Sequence, residues 1–226
     1  MTRTAPTTVV LDLGNVLVRW DPRAAYHGRL APDDVDAFFA DVPFERLAHA
    51  TDAGLPWAAA RAQVQRSHPH HVAALDLYVT HFADSLLGPV PGMHALVSEL
   101  RAAGVRLLGL TNWSAETFHH AEPAAPAIGL LEGVLVSGEV GLAKPDPAIF
   151  ALLVERFDLD PAATVFVDDS PPNVAAGAAA GLDALLFRDA ATLRRDLAAR
   201  GLLTPAGDSH GPGPAGGERG PGAEPT

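Results

Sequence analysis

The chain has 226 residues, 48% of them hydrophobic, which suffices for one sizeable core or a core with a small accessory domain. Its formal net charge of −11 argues against a nucleic-acid partner, and the absence of cysteine excludes disulfides and thiolate metal sites. No long apolar segment opens the chain, so no signal peptide or membrane contact is expected, and the expected location is the cytoplasm.

Val9-Val10-Leu11 is a short apolar run rich in β-branched residues and reads as a strand buried on both faces. Asp12 stands where that strand should end, followed by Gly14-Asn15, which suit a sharp turn. Asp12 either caps the turn or faces a ligand, because open α/β sheets bind at the carboxyl ends of their strands. From Arg19-Trp20-Asp21-Pro22 to about Leu87 no strand is predicted. Helical spacing falls over 32–40, 57–65 and 72–87, the last carrying Leu75, Tyr78, Val79, Phe82 and Leu86 on one stripe. Gly54-Leu55-Pro56 and Ser67-His68-Pro69 break these helices, and Pro89-Val90-Pro91-Gly92 reads as a hinge back to the main body.

Beyond the hinge, helix and strand alternate. Met93, Leu96, Val97 and Leu100 form a stripe ended by Gly104, and a strand over 106–110 runs into Thr111-Asn112-Trp113. Ser114 is placed to cap a short helix over 115–120. Strands follow at 133–136, 164–167 and 184–187. Helices follow at Asp146-Pro147, over 172–180 and over 190–200, the last with Asp189 as its cap. The alternation predicts a mostly parallel sheet with helices on both faces. From Thr204 onward the chain is Pro, Gly, Ala and scattered charge, and reads as a disordered tail.

Asp12, Thr111 with Asn112, Lys144 and the pair Asp168-Asp169 all fall at strand ends or a helix start, which a doubly wound sheet gathers along one edge. Clustered carboxylates repel unless a cation intervenes, and oxygen-only ligands favour a hard ion such as Mg²⁺. Lys144 is the only lysine in the chain. Either it survives by chance in an arginine-rich composition, or position 144 needs a compact point charge. With Thr111 it would suit an oxyanion such as phosphate, and an Asp at such a site can act as a nucleophile. The histidines His68, His70 and His71, and His119-His120, read as surface groups, since no carboxylate stands at metal-ligand spacing. His27, His49 or His120 could reach the site from a neighbouring loop. Trp113 should pack beside it, with Trp20 and Phe44 as candidates for the cap-side lining.

The ordered runs VVLDLGNVLVRWDP, GLTNWS, GLAKPDPAIF and VFVDDSPPNVAAGAAAGL resemble the four motifs of the haloacid dehalogenase superfamily across roughly residues 7 to 190. They are most similar to phosphatase-like members with a small helical cap, among them sugar-1-phosphate phosphatases. The resemblance implies an α/β fold: a Rossmann-like doubly wound parallel sheet (1–19 and 90–203) with a small all-helical cap (20–89) inserted after the first strand. It implies a Mg²⁺-dependent phosphomonoesterase acting on a small phosphorylated metabolite, as a monomer or a homodimer. Asp12 would be the nucleophile. Thr111 and Lys144 would hold phosphoryl oxygens, with Asn112 and Trp113 beside the substrate. Asp12, Asp169 and the Gly14 carbonyl would bind the metal, assisted by Asp168 with Asn173 supporting it.

One departure stands out: the family's phosphatases carry a general acid two residues after the nucleophile, and here that position is Gly14. The leaving-group proton must then come from water, a cap residue or the substrate, which favours substrates with acidic leaving groups such as sugar 1-phosphates. The alternatives are a metal-independent 2-haloacid dehalogenase, against which the retained Asp168-Asp169 pair argues, and a catalytically silent binding protein on the same fold.

Overall fold

A computed structural model describes residues 6–204; the predicted disordered tail lies, beyond Thr204, outside the described residues. The strands are β1 (Thr8–Leu11), β2 (Val18–Trp20), β3 (Leu86–Pro89), β4 (Arg106–Thr111), β5 (Gly133–Val136), β6 (Thr164–Asp168) and β7 (Asp183–Leu186). The α-helices are α1 (Pro32–Asp41), α2 (Phe44–Asp52), α3 (Trp57–Ser67), α4 (Val72–Thr80), α5 (Met93–Ala102), α6 (Ala121–Ala124), α7 (Ser137–Val140), α8 (Pro147–Phe157), α9 (Pro171–Ala179) and α10 (Ala190–Ala199).

Five strands form one sheet in the order β5-β4-β1-β6-β7, every pair parallel. Strand β1 lies at its centre and is buried throughout, which explains its unbroken apolar run. Because side chains alternate across a sheet, Val9 and Leu11 enter one core while Val10 enters the other. The first core takes in Met93, Leu96, Val97 and Leu100 of α5 with Leu193 and Leu197 of α10. The second takes in Ile149, Phe150 and Leu153 of α8. Helices thus cover both faces, as the alternation predicts. Local signals start them: Asp146 accepts a hydrogen bond from Ala148 N ahead of Pro147, and Asp189 accepts one from Thr192 N.

The segment between β2 and β3 holds α1 to α4 and differs from the sequence expectation in three ways. Strands β2 and β3 pair antiparallel, Val18 opposite Pro89 and Trp20 opposite Leu86, where no strand was expected. The predicted helix over 72–87 stops at Thr80, and a 3-10 turn over Phe82–Ser85 leads into β3. Ser85 Oγ donates to Phe82 O at 2.6 Å, closing that turn, and pairing with β2 then outweighs the helical spacing of Leu86. Helix α2 is additional. Its inner stripe, Phe44, Leu47 and Thr51, has only two large apolar residues, too few for periodicity to stand out. An aromatic cluster fills the centre of this segment, with Phe44 4.9 Å from both Phe39 and Tyr78 by ring centroids. Elsewhere, Ser114 makes no helix cap. The chain after it forms a turn, with Thr117 N donating to Ser114 O, then a 3-10 turn over Phe118–His120 and the short α6. No helix among the described residues is long and apolar enough to cross a membrane.

Helix α9 packs on β6 through Gly177, where an added Cβ would lie 2.5 Å from Phe166 Cδ1. Gly177→Ala should therefore lower stability by about 1–3 kcal/mol through overpacking, despite the better helix propensity of alanine. Urea denaturation of the two proteins measures the difference.

Candidate active site

The parallel register brings β4, β1 and β6 to a common edge. Leu11 pairs with Gly109 and Val167, and Asp12 N donates to Val167 O at 2.8 Å, so the next residue in each strand is Leu110, Asp12 and Asp168. Lys144, in the loop ahead of α8, sends its side chain to that edge and is fully buried. Its Nζ lies 2.8 Å from Leu110 O, 2.9 Å from Asp12 Oδ1 and 2.6 Å from Asp168 Oδ2. Its backbone is held by a reciprocal pair with Asn112: Lys144 N donates to Asn112 Oδ1, and Asn112 Nδ2 donates to Lys144 O, both at 2.8 Å. Asn112 thus anchors Lys144.

Asp168 is fully enclosed and saturated. Beyond Lys144 it accepts hydrogen bonds from Ser170 N at 2.9 Å and Asn173 Nδ2 at 3.0 Å. Asp169 is exposed, with the Asn15 side chain hydrogen-bonded to it. Asn15 occupies the left-handed region at φ 55°, which asparagine tolerates, and its Oδ1 accepts from Trp20 N. Carboxylate oxygens of Asp12, Asp168 and Asp169 all lie within 4.8 Å of one another. Three carboxylates against one ammonium leave the site negative. Burial, opposed by Lys144 and reinforced by Asp168, pushes Asp12 up to about 7, and burial with Asp168 raises Asp169. Burial also works against the Lys144 charge, but Asp12 and Asp168 together outweigh it and hold its pKa above the usual lysine value. Thr111, the last residue of β4, is fully buried, and its Oγ1 has no hydrogen-bond partner. An oxygen-only donor set with excess negative charge suits a hard divalent cation, and an ammonium and an orphaned hydroxyl at one sheet edge suit an oxyanion.

A cavity of about 90 Å³ adjoins these groups, lined among others by Gly14, Asp52, Asn112 and Trp113. Trp20 lines it, but Phe44 lies instead in the aromatic cluster of the helical segment. His27, His49 and His120 do not line it; His120 stacks against Phe82 with centroids 6.0 Å apart. Asp52, Trp57 and Tyr78 also line it; the sequence marks Tyr78 only as part of a helical stripe and gives none of the three a place in the site, since only folding brings them to the cavity that Gly14 lines. Of the histidines read as surface groups, His70 and His119 are exposed and His71 is buried. Asp41, from the end of α1, meets His71 Nε2 at 2.9 Å and His70 Nε2 at 3.7 Å, a carboxylate that sequence spacing did not reveal.

The family described as haloacid dehalogenase-like hydrolase matches residues 6–181. A plasmid-encoded phosphoglycolate phosphatase of Cupriavidus necator is 32% identical over 205 residues, covering 80% of each chain. The sesquiterpene phosphatase astK of Aspergillus oryzae is 33% identical over 103 residues, 46% of this chain and about half (53%) of its own length. Among solved structures, a HAD family enzyme of Bacteroides thetaiotaomicron, bt-2542, superposes with a TM-score of 0.67 at 19% identity, over 82% of this chain and 95% of its own. That enzyme has also been solved in complex with magnesium and inorganic phosphate.

Removing the shared ammonium strands Asp168 without a cation in a fully enclosed position. Lys144→Met should cost about 3–5 kcal/mol of stability at neutral pH, as for other buried pairs broken on one side. Chemical denaturation of the metal-free protein checks this.

Proposed function

Because the chain belongs to the haloacid dehalogenase-like hydrolases, we propose that it is a Mg²⁺-dependent phosphomonoesterase working through a phosphoryl group on Asp12. The observation that carries this is the negative cluster itself: three carboxylates within 4.8 Å of one another, two of them paired to one buried ammonium, with the unpartnered Thr111 hydroxyl on the residue after Leu110, whose carbonyl that ammonium meets. The similarity to a phosphoglycolate phosphatase along most of the chain supports the same reading.

In this mechanism Asp12, Asp169 and the backbone carbonyl of Gly14 would hold Mg²⁺, which when bound would neutralise the excess negative charge that repels a phosphate dianion. Lys144, whose three N–H donors meet Leu110 O, Asp12 and Asp168 in the free protein, turns the one on Asp12 to a phosphoryl oxygen, and Thr111 donates to another, fixing the phosphorus in front of Asp12. Asp12 attacks, the ester bond breaks, and water later releases inorganic phosphate and restores the carboxylate. Asp168 holds the lysine in place. Residues 20–89 form a cap over a core of 1–19 and 90–203, and the substrate sits between them, against Asn112 and Trp113. Among small phosphorylated metabolites, a sugar 1-phosphate fits the glycine at position 14, because its anomeric oxygen departs with less protonation. Metal-independent dehalogenation would leave Asp169 without a task.

The test is phosphate release from 4-nitrophenyl phosphate with Mg²⁺. EDTA should abolish it, and Asp12→Asn should lower turnover at least ~10³-fold, about 4 kcal/mol of barrier. Turnover that resists EDTA, or an Asp12→Asn enzyme within about tenfold of the parent, overturns the reading. Thr111→Val should separate function from folding. It removes a buried hydroxyl without a partner, so the melting temperature should not fall, while kcat/KM drops by about 10².

A further inference from the structure

Resting on the phosphatase reading above, we propose that Asp52, at the end of α2, protonates the departing oxygen of the substrate, the task for which position 14 has no side chain.

Gly14 and Asp52 line the same cavity. No neighbouring atom lies within 4 Å of where a Cβ on Gly14 would sit, so the space a side chain there would use stays open. Asp52 is the only carboxylate among the residues lining the cavity. Its place relative to the strand ends is set by the core. Ser137 Oγ, directly after β5, donates to Asp52 O at 2.5 Å and accepts from Trp113 N at 2.9 Å. Two residues on, at φ +94°, Gly54 packs so closely on α7 that an added Cβ would lie 3.3 Å from Gly141 Cα. Trp57 N donates to Glu116 Oε1 at 2.9 Å and ties the start of α3 to the loop after β4. The backbone at Asp52 is therefore tied to the ends of β4 and β5, and its carboxyl lines the cavity that Gly14 and Asn112 also line.

Its chemistry suits the task. Burial, opposed by a hydrogen bond from the Ser114 backbone and reinforced by the charge of Asp12, pushes the Asp52 carboxyl up to about 7. Near neutrality such a group can give a proton and take one back. Trp57, which also lines the cavity, has a buried indole N–H without an acceptor.

The proton balance closes. As Asp12 forms its bond to phosphorus, the ester P–O bond breaks, its electron pair stays on the ester oxygen, and Asp52 supplies the proton that completes the alcohol. Asp52, now a carboxylate, removes a proton from the water that attacks the aspartyl phosphate. The P–O bond to Asp12 breaks, and inorganic phosphate leaves with both aspartates restored. With this donor in place, turnover is not confined to acidic leaving groups.

The experiment is a leaving-group series on the Mg²⁺-loaded protein, from 4-nitrophenyl phosphate to alkyl monophosphates. Parent, Asp52→Asn, Asp52→Ser and the double variant Asp52→Asn/Gly14→Asp are compared. Both single variants should lose about 10²–10⁴-fold in kcat/KM on alkyl phosphates and less than about tenfold on 4-nitrophenyl phosphate. The aryl ester serves as an internal control that the protein is folded. The double variant should recover at least about tenfold on alkyl phosphates, because an acid then reaches the same oxygen from the other wall. Equal losses across the series, or undiminished alkyl phosphate turnover in both single variants, overturn the assignment while leaving the phosphatase reading intact. A parent that releases phosphate from no member of the series overturns the phosphatase reading, and this assignment with it.

Discussion

Three adjacent strands, β4, β1 and β6, end on a single ammonium, with Lys144 Nζ within 2.9 Å of Leu110 O, Asp12 Oδ1 and Asp168 Oδ2. A lone ammonium or a lone carboxylate buried at that edge would cost several kcal/mol in lost hydration. Together they satisfy one another, and the remaining oxygen of Asp168 is filled by Ser170 N and Asn173. A flexible point charge suits this position, since it must meet three acceptors from three strands at once. A planar guanidinium could not converge on them in the same way. The arrangement depends in turn on Asn112, whose two hydrogen bonds to the Lys144 backbone link the end of β4 to the loop ahead of α8.

The charge is not fully balanced. Asp169 adds a third carboxylate to the cluster; burial, reinforced by the charges of Asp168 and Asp169, raises Asp12, while Asp12 and Asp168 hold Lys144 above the usual lysine value. Burial and the neighbouring carboxylates disfavour an ionised Asp12 in the free protein, and a divalent cation at that cluster would favour the charged form.

The helical segment contributes through placement more than through packing on the strand ends. Its aromatic cluster, around Phe38, Phe44 and Tyr78, fills its centre. Few polar contacts register it to the sheet, chiefly Ser137 to Asp52 O and Trp57 N to Glu116. The antiparallel pair β2 and β3 forms its base and carries Trp20 to the cavity.

The strand–helix alternation, the apolar run of β1 and the helix starts at Asp146 and Asp189 were legible in the sequence because they depend on near neighbours: periodicity, a cap, a proline at a first turn. The gathering of Asp12, Thr111, Lys144, Asp168 and Asp169 was legible for a related reason. A parallel sheet brings all strand ends to one edge, so position in the element order implies proximity. Where long-range contacts compete with local preference, the sequence was silent or misleading. Leu86 keeps helical spacing yet joins β3, because a backbone pairing with Trp20 was available only in the fold. Asp41 meets His70 and His71, and Asp52 meets the cavity beside Gly14, across separations of roughly 30 to 40 residues that no spacing encodes. Local chemistry determined the elements and the edge on which the reactive groups stand. Only tertiary packing decided which distant side chain faces them, because that depends on how the helical segment docks, and its docking rests on contacts between residues far apart in the chain.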